Sequence, residues 1–355
     1  MEIGIVGGGI NGLCCAWALS DRGHRIRLFE RSKIMQATSS ASSKLLHGGV
    51  RYLETGQLRL VREALIERDR WLSVMPQLAR PLPIIYPKYR DGKRSSLMLG
   101  LGFGLYGRLS GSSVLPTPRW LDRSTVMKKL PDLDSQGLEG GYCYYDVQMD
   151  DYRLGQWVAE QCMDNGVEIH EDAPVLSVSP QGALTLASGN EISFDRLLNV
   201  TGPWAEDLLD RSRISSRCHL DLVRGSHLIV NRRIDHALIL EVPGESRIFF
   251  VLPWEGQSLV GTTEIRQHLS DAVICSEDES LYLVRAYNHY FHSGIGLEDV
   301  VQTFSGLRPL LRSSLDPGKA SREYAFQRNG KLVTVFGGKW TTARALANKV
   351  TKEIE

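Results

Sequence analysis

Short apolar runs broken by polar turns recur along the chain, and the first of them sets the organisation. Ile3, Ile5 and Val6 form a strand-like run that leads into Gly7-x-Gly9-x-x-Gly12. Ile10, Leu13, Cys14 and Trp17 then fall on one helical face, and Arg25-Ile26-Arg27-Leu28-Phe29-Glu30 returns as a second strand ending in an acid. Strand, glycine turn, helix and strand together predict a dinucleotide-binding unit. One glycine allows the tight turn, the second lets a pyrophosphate approach the backbone, and the third lets helix pack on strand. The helix N-terminus offers free N–H groups and the positive end of its dipole to the phosphates. Glu30, about twenty residues on, is placed to accept hydrogen bonds from a ribose.

The same patterning predicts the rest of the architecture. Residues 57–73 form a charged helix with Leu58, Val61, Leu65 and Leu72 inward. Pro76, Pro81, Pro83 and Pro87 break regular structure and mark the chain leaving one domain for another. Residues 151–165 form a helix ending at Asn165-Gly166, and residues 175–179, 183–187 and 191–194 form a small meander. Residues 197–204 then return as strand, glycine and helix start. A meander where a plain nicotinamide enzyme has a second βαβ half suits a flavin-type domain. Residues 220–230, 237–241, 248–253 and 258–263 alternate with turn residues as an antiparallel substrate sheet does. Residues 280–291 form a helix, residues 331–336 a strand, and Gly337-Gly338-Lys339-Trp340-Thr341-Thr342 opens a final helix. The fold class expected is α/β: an FAD-binding, Rossmann-like domain of the glutathione-reductase type, interleaved with an antiparallel β-sheet substrate domain. Segments 1–78, 145–215 and 300–355 fall to the FAD-binding domain; 79–144 and 216–299 fall to the substrate domain.

Composition narrows the partners. The 355 residues carry 42 basic and 41 acidic side chains, without a block of like charge, which argues against nucleic acid. Six cysteines form no C-x-x-C pair and no metal-ligand spacing with histidine, so no metal is expected, and a reducing compartment fits. The first strand starts almost at once, leaving no leader, and no apolar run is long enough to span a bilayer; a cytoplasmic protein is expected. One stretch departs from this even distribution of charge. Lys88, Arg90, Lys93 and Arg94 precede a glycine-spaced apolar stretch, residues 97–106, which suits either an anionic membrane surface or a helix buried against the substrate sheet.

Four blocks carry a likeness to a known family: residues 40–54, containing Ser42-Ser43-Lys44-Leu45-Leu46-His47-Gly48-Gly49-Val50-Arg51-Tyr52-Leu53-Glu54; residues 223–227; residues 306–310; and residues 337–342. With Asn199-Val200-Thr201-Gly202-Pro203-Trp204 and Gly261-Thr262-Thr263-Glu264, they make the chain resemble the FAD-dependent glycerol-3-phosphate dehydrogenase family along essentially its whole length. The resemblance implies a flavoprotein of the D-amino-acid-oxidase-like class. Such an enzyme acts on a CH–OH group: sn-glycerol 3-phosphate is oxidised to dihydroxyacetone phosphate by hydride transfer to flavin, and electrons pass to quinone or another acceptor. Peripheral contact to the inner face of the cell membrane is the expectation that the basic and apolar stretch at residues 88–106 leaves open. It also implies a helical C-terminal domain beyond Glu355 that this sequence lacks, which leaves oligomer contacts and acceptor open.

The resemblance assigns roles to individual residues. Arg51, Arg308 and Arg322 are phosphate ligands, because a guanidinium fork matches phosphate oxygens, and Tyr52 adds a hydrogen bond. His227 is the general base, since imidazole titrates near working pH. Lys339, with Arg308 among the catalytic residues, sets positive charge near the flavin. The dinucleotide falls to Gly7, Gly9, Asn11, Gly12, Glu30 and Arg31; to Thr38, Ser39, Ser40, Ser42, Ser43 and Lys44; and to His47, Gly48 and Gly49. Val175, Thr201, Gly202 and Trp204 join them, as do Gly306 and Arg308 and the turn Gly338, Lys339, Trp340, Thr341 and Thr342. Two alternatives stay open: oxidation of an amino acid or 2-hydroxy acid, and a non-catalytic flavin-holding, membrane-associated subunit.

Overall fold

The computed structural model describes residues 1–312 and 324–355. Arg322, the third expected phosphate ligand, lies outside the described residues. Among those residues, six strands form one sheet in the order Tyr324–Asn329, Leu332–Gly337, Arg196–Asn199, Glu2–Val6, Arg25–Phe29, Glu168–His170. Pairing is parallel from Leu332–Gly337 to Glu168–His170, with an antiparallel edge at Tyr324–Asn329. The central strands Glu2–Val6, Arg196–Asn199 and Leu332–Gly337 bury apolar side chains on both faces, as a sheet covered on both sides requires. Ile3, Ile5, Leu198, Val333 and Val335 pack with the helices Ile10–Ser20, Asp151–Asp164 and Ala343–Ile354. Val6, Leu197, Leu332 and Phe336 pack with the helix Ala205–Arg211 and the meander Val175–Val178, Ala183–Leu186, Glu191–Ser193.

At the end of Glu2–Val6 the glycine turn feeds the helix Ile10–Ser20. A Cβ on Gly12 would come within 1.9 Å of the Gly7 carbonyl oxygen, so this glycine is demanded by the close approach of helix to strand. Glu30 accepts from the Gly8 N–H through Oε2 at 2.7 Å and from the Ser32 N–H through Oε1 at 3.1 Å, holding the turn against the second strand.

The second sheet has ten strands. Eight run in the order Ile265–Arg266, Leu220–Val230, Gln257–Gly261, Ile248–Trp254, Ala237–Glu241, Ala79–Tyr89, Leu138–Met149, Leu45–Leu46. Val300–Leu311 pairs with Leu220–Val230, and Arg119–Asp122 with Leu138–Met149. The register sets Phe304 opposite His227, Gly306 opposite Gly225 and Arg308 opposite Val223. Thus one long pairing carries both the histidine and the arginine expected at the site.

The fold overturns one expectation and divides another. The proline-rich stretch is not a break: Pro81, Pro83 and Pro87 lie inside the strand Ala79–Tyr89. They pair with Val147, Tyr145 and Gly141 on one side, while the strand on the other side meets only Ile84 and Ile85. Proline is tolerated where a strand has a free flank, and the signal was overridden by that geometry. The basic cluster before the apolar stretch is not all surface either. Lys88 and Arg94 are buried, and Arg94 donates through Nε to Glu54 at 2.5 Å and through Nη1 to Glu241 at 3.1 Å. The apolar stretch itself is the helix Ser96–Leu109, which buries Leu99, Phe103 and Tyr106 and exposes Leu97, Met98 and Leu101.

Candidate active site

A cavity of about 610 Å³ runs from the glycine turn to the face of the second sheet. That size suits a cofactor together with a small substrate. Gly7, Gly9, Asn11, Glu30, Arg31, Val175, Thr201, Gly202 and Trp204 line one end. Arg31 stacks its guanidinium over the Trp204 ring, 3.7 Å from the centroid, as a paired wall. Asn11 Oδ1 is a buried acceptor with no hydrogen-bond partner in the protein, in the first turn of a helix whose N-cap, Gly9, has no side chain to cap it. An orphaned acceptor at a helix N-terminus that follows a glycine turn fits a dinucleotide with a ribose and a pyrophosphate to bind.

The middle of the cavity is walled by the hydroxyl-rich loop and the final turn. Many of their polar groups join loops to one another. Ser39 Oγ accepts from the Ile10 N–H at 3.0 Å, and Thr38 Oγ donates to the Leu307 carbonyl at 2.8 Å. Thr341 Oγ1 accepts from the His47 N–H at 3.2 Å, and the Trp340 indole N–H donates to the Ser39 carbonyl at 2.9 Å. The Trp71 indole N–H, from the helix Leu58–Val74, donates to the Thr341 carbonyl at 3.1 Å. Lys339 sits with Nζ 3.9 Å from the Tyr52 ring centroid, linking this turn to the segment that carries Arg51.

The far end holds the groups with substrate chemistry: Arg51, Tyr52, His227, Thr262, Glu264 and Arg308. Arg308 Nη2 donates to Thr262 Oγ1 at 2.6 Å. The Glu264 carboxylate lies 4.0 Å from Arg51, 3.9 Å from Arg308 and 3.7 Å from Arg247, so one acid sits among three guanidiniums. Two glycines make room for these side chains. A Cβ on Gly225 would fall 1.9 Å from Arg308 Nη2, and one on Gly261 would fall 2.3 Å from His227 Cδ2.

His227 is buried, stacked on Phe304 with centroids 4.8 Å apart, and its Nε2 is 2.8 Å from Ser43 Oγ. Burial, then the charges of Arg308 and Lys44, hold its imidazole well below the ordinary value of 6.5. The ring is therefore neutral at neutral pH and able to accept a proton.

Some expected cofactor ligands lie off the cavity wall. Gly12 packs helix on strand, and Gly48 fits against Leu65. Ser40 Oγ donates to the Ala37 carbonyl at 3.2 Å, and Thr342 is the buried residue that begins the final helix. Lys44 turns to the fully buried Asp151, with Nζ 2.6 Å from Oδ1, and also donates to the Ser40 carbonyl at 2.8 Å. Ser42 lines the cavity but gives its hydroxyl hydrogen to Asp151 at 2.6 Å. Conversely, Phe250, Ile239, Ile248 and Tyr144 line the cavity although no motif marks them. They read as ordinary sheet residues in sequence. Thr262 and Glu264 stood in a matched motif without a role, and only their position beside the arginines gives one.

The chain matches the family described as FAD dependent oxidoreductase over residues 2–352. D-erythritol 1-phosphate dehydrogenase of Brucella abortus is 35% identical over 365 residues, covering 98% of this chain and 72% of that protein. Aerobic glycerol-3-phosphate dehydrogenase of Escherichia coli is 34% identical over 372 residues, covering 99% and 72%. The solved glycerol-3-phosphate dehydrogenase of Bacillus halodurans, complexed with FAD, has a TM-score of 0.78 at 23% identity. Its alignment covers all of this chain and 64% of that one, and so this chain spans less than two thirds of the solved structure.

Proposed function

The chain belongs to the FAD-dependent oxidoreductase family, and from that premise we propose that it oxidises the secondary hydroxyl of a short polyol phosphate, sn-glycerol 3-phosphate first, to the ketone. The observation that carries this reading is the meeting of Arg51 and Arg308 with His227 at one end of the cavity that the glycine turn opens. FAD, when bound, supplies the two-electron acceptor. Gly7, Gly9, Asn11, Arg31, Thr201, Gly202 and Trp204 would hold its dinucleotide portion, and Gly338, Lys339, Thr341 and His47 its ring.

The protein's own groups divide the remaining work. Arg51 and Arg308 bind the phosphate dianion, for which paired guanidinium forks offer charge and direction together. Thr262 steadies the Arg308 fork, and Tyr52 lines the same cavity, under the Lys339 ammonium. His227, kept neutral, takes the proton of the hydroxyl being oxidised. Electrons leave to quinone or another acceptor. A membrane-soluble acceptor agrees with peripheral membrane contact through the apolar face of the helix Ser96–Leu109, where Leu97 is 73% and Leu101 68% exposed. D-erythritol 1-phosphate is a second candidate substrate, favoured by the Brucella relative.

An anaerobic titration following the flavin absorbance band tests the reading. Glycerol 3-phosphate or erythritol 1-phosphate should bleach the band and glycerol should not. Arg308→Ala should raise the half-bleaching concentration roughly 10- to 100-fold, as loss of about 1.5–3 kcal/mol of charged hydrogen bonding demands. A flavin band that neither phosphate bleaches ends the assignment.

A further inference from the structure

His227 and Ser43 are 184 residues apart in sequence, yet their side chains meet at 2.8 Å. Ser43 is held for that meeting by its neighbours. Asp151, at the start of its helix, accepts from the Ser42 N–H at 3.1 Å, the Ser42 hydroxyl at 2.6 Å and the Lys44 ammonium at 2.6 Å, bracketing Ser43 on both sides.

Two arrangements satisfy the 2.8 Å contact. If the Ser43 hydroxyl donates to Nε2, the imidazole hydrogen is on Nδ1. If Nε2–H donates to Ser43, the lone pair is on Nδ1. His227 Nδ1 is buried and has no hydrogen-bond partner in the protein. An N–H buried without an acceptor is the rarer and costlier orphan. The charges that face the ring are cationic: Arg308 from the neighbouring strand, and Lys44 from the hydroxyl loop, whose Nζ lies 5.0 Å from the Phe304 ring that stacks on His227. Cations favour a lone pair over a hydrogen on the uncommitted nitrogen. Both considerations select the second arrangement.

We propose that Ser43 is a positioning residue that accepts the Nε2 hydrogen of His227 and so fixes the imidazole in the tautomer whose Nδ1 lone pair receives the substrate proton. No electrons move in this step. The substrate O–H bond breaks as the Nδ1–H bond forms, the ring becomes an imidazolium, and the Ser43 contact keeps the Nε2 hydrogen in place throughout. Ser43 itself lines the cavity, and its own hydroxyl hydrogen remains available there.

The role in turnover rests on the polyol phosphate reading, whereas the tautomer does not, so the first measurement omits substrate. FAD-loaded protein with 15N-labelled histidine is examined by imidazole nitrogen–carbon-proton correlation NMR, with His227→Gln assigning the signal. Wild type should show His227 with its hydrogen on Nε2 and an unprotonated Nδ1. Ser43→Ala should give a mixture of tautomers and lower turnover roughly 3- to 10-fold, the population change expected from losing one neutral hydrogen bond. KM should stay the same, because the phosphate ligands are untouched, and Ser43→Thr should restore both the tautomer and turnover. A wild-type hydrogen on Nδ1, or a Ser43→Ala protein with unchanged tautomer, overturns the proposal. A polyol phosphate that fails to react overturns the substrate assignment alone.

Discussion

His227 occupies a place where a charge on its ring would face Arg308 and Lys44 with almost no water to screen it. The unfolded chain offers the same imidazole near 6.5, so below that pH the unfolded state takes up a proton that the folded state refuses. Folding stability from this residue is therefore complete above about pH 7 and falls as the pH drops below about 6.5 toward the lower folded value. Urea denaturation at about pH 7.5 and pH 5.5 should show the wild type losing up to about 1.4 kcal/mol more than His227→Gln for each pH unit below about 6.5. Equal losses in the two proteins would mean that the folded imidazole titrates normally. At this scale the sequence was partly legible. Arg51, Arg308 and His227 stood in motifs whose spacing survives folding, and the cavity brings all three together. Lys44 stood in the same motif, but its ammonium is claimed by Asp151, 107 residues on. No local pattern announces a partner that only the fold supplies.

Elements are held in register by buried charge as well as by apolar packing. Arg68, on the helix Leu58–Val74, donates through Nη1 to Asp146 Oδ1 at 3.1 Å and to the Tyr145 carbonyl at 3.0 Å. The same oxygen of Asp146 accepts the Tyr106 hydroxyl at 2.6 Å, tying in the helix Ser96–Leu109. Tyr106 Oη in turn accepts from the Gly48 N–H at 3.0 Å, beside the loop that presents Arg51. Burial pushes the Asp146 carboxyl above its ordinary value, with Arg68 opposing that rise. Asp146→Ala should cost roughly 1–3 kcal/mol in a denaturation experiment, because it strips the buried Arg68 guanidinium of one of its two carboxylates, leaving Asp69 at 2.8 Å, and takes the acceptor from the Tyr106 hydroxyl. The paired change Arg68→Met with Asp146→Ala should recover much of that loss, since both charges are then gone. A double variant no more stable than Asp146→Ala alone would show that the network contributes only contacts. The helices Ile10–Ser20, Leu58–Val74 and Asp151–Asp164 were visible from apolar spacing, although Leu58, expected inward, is exposed. The short helix Arg123–Lys129 went unmarked, and the strand Ala79–Tyr89 was hidden by its prolines, because propensity does not know which flank a strand leaves open.

Across the whole molecule, the two sheets meet at the cavity, and the helix Ser96–Leu109 packs on the second sheet with Leu97, Met98 and Leu101 turned to solvent. No helix among the described residues is long and apolar enough to cross a membrane, so lipid contact through this helix would be peripheral. The cations that sequence placed in the headgroup region divide in two: Lys93 and Arg90 are exposed, but Arg94 is locked between Glu54 and Glu241. Arg94→Glu would set three carboxylates together and should lower the unfolding temperature, which disqualifies it as a probe of the surface. Leu97→Glu with Leu101→Glu is the cleaner test, because neither side chain supports the core. Inserting two leucines is worth about 1.5 kcal/mol or more each, so the pair should lower the partition coefficient onto anionic liposomes by roughly two orders of magnitude. The flavin band and its bleaching in solution should be unaffected. Pelleting equal to wild type would show that this helix does not meet lipid, and the exposed leucines would then need a protein surface as their partner.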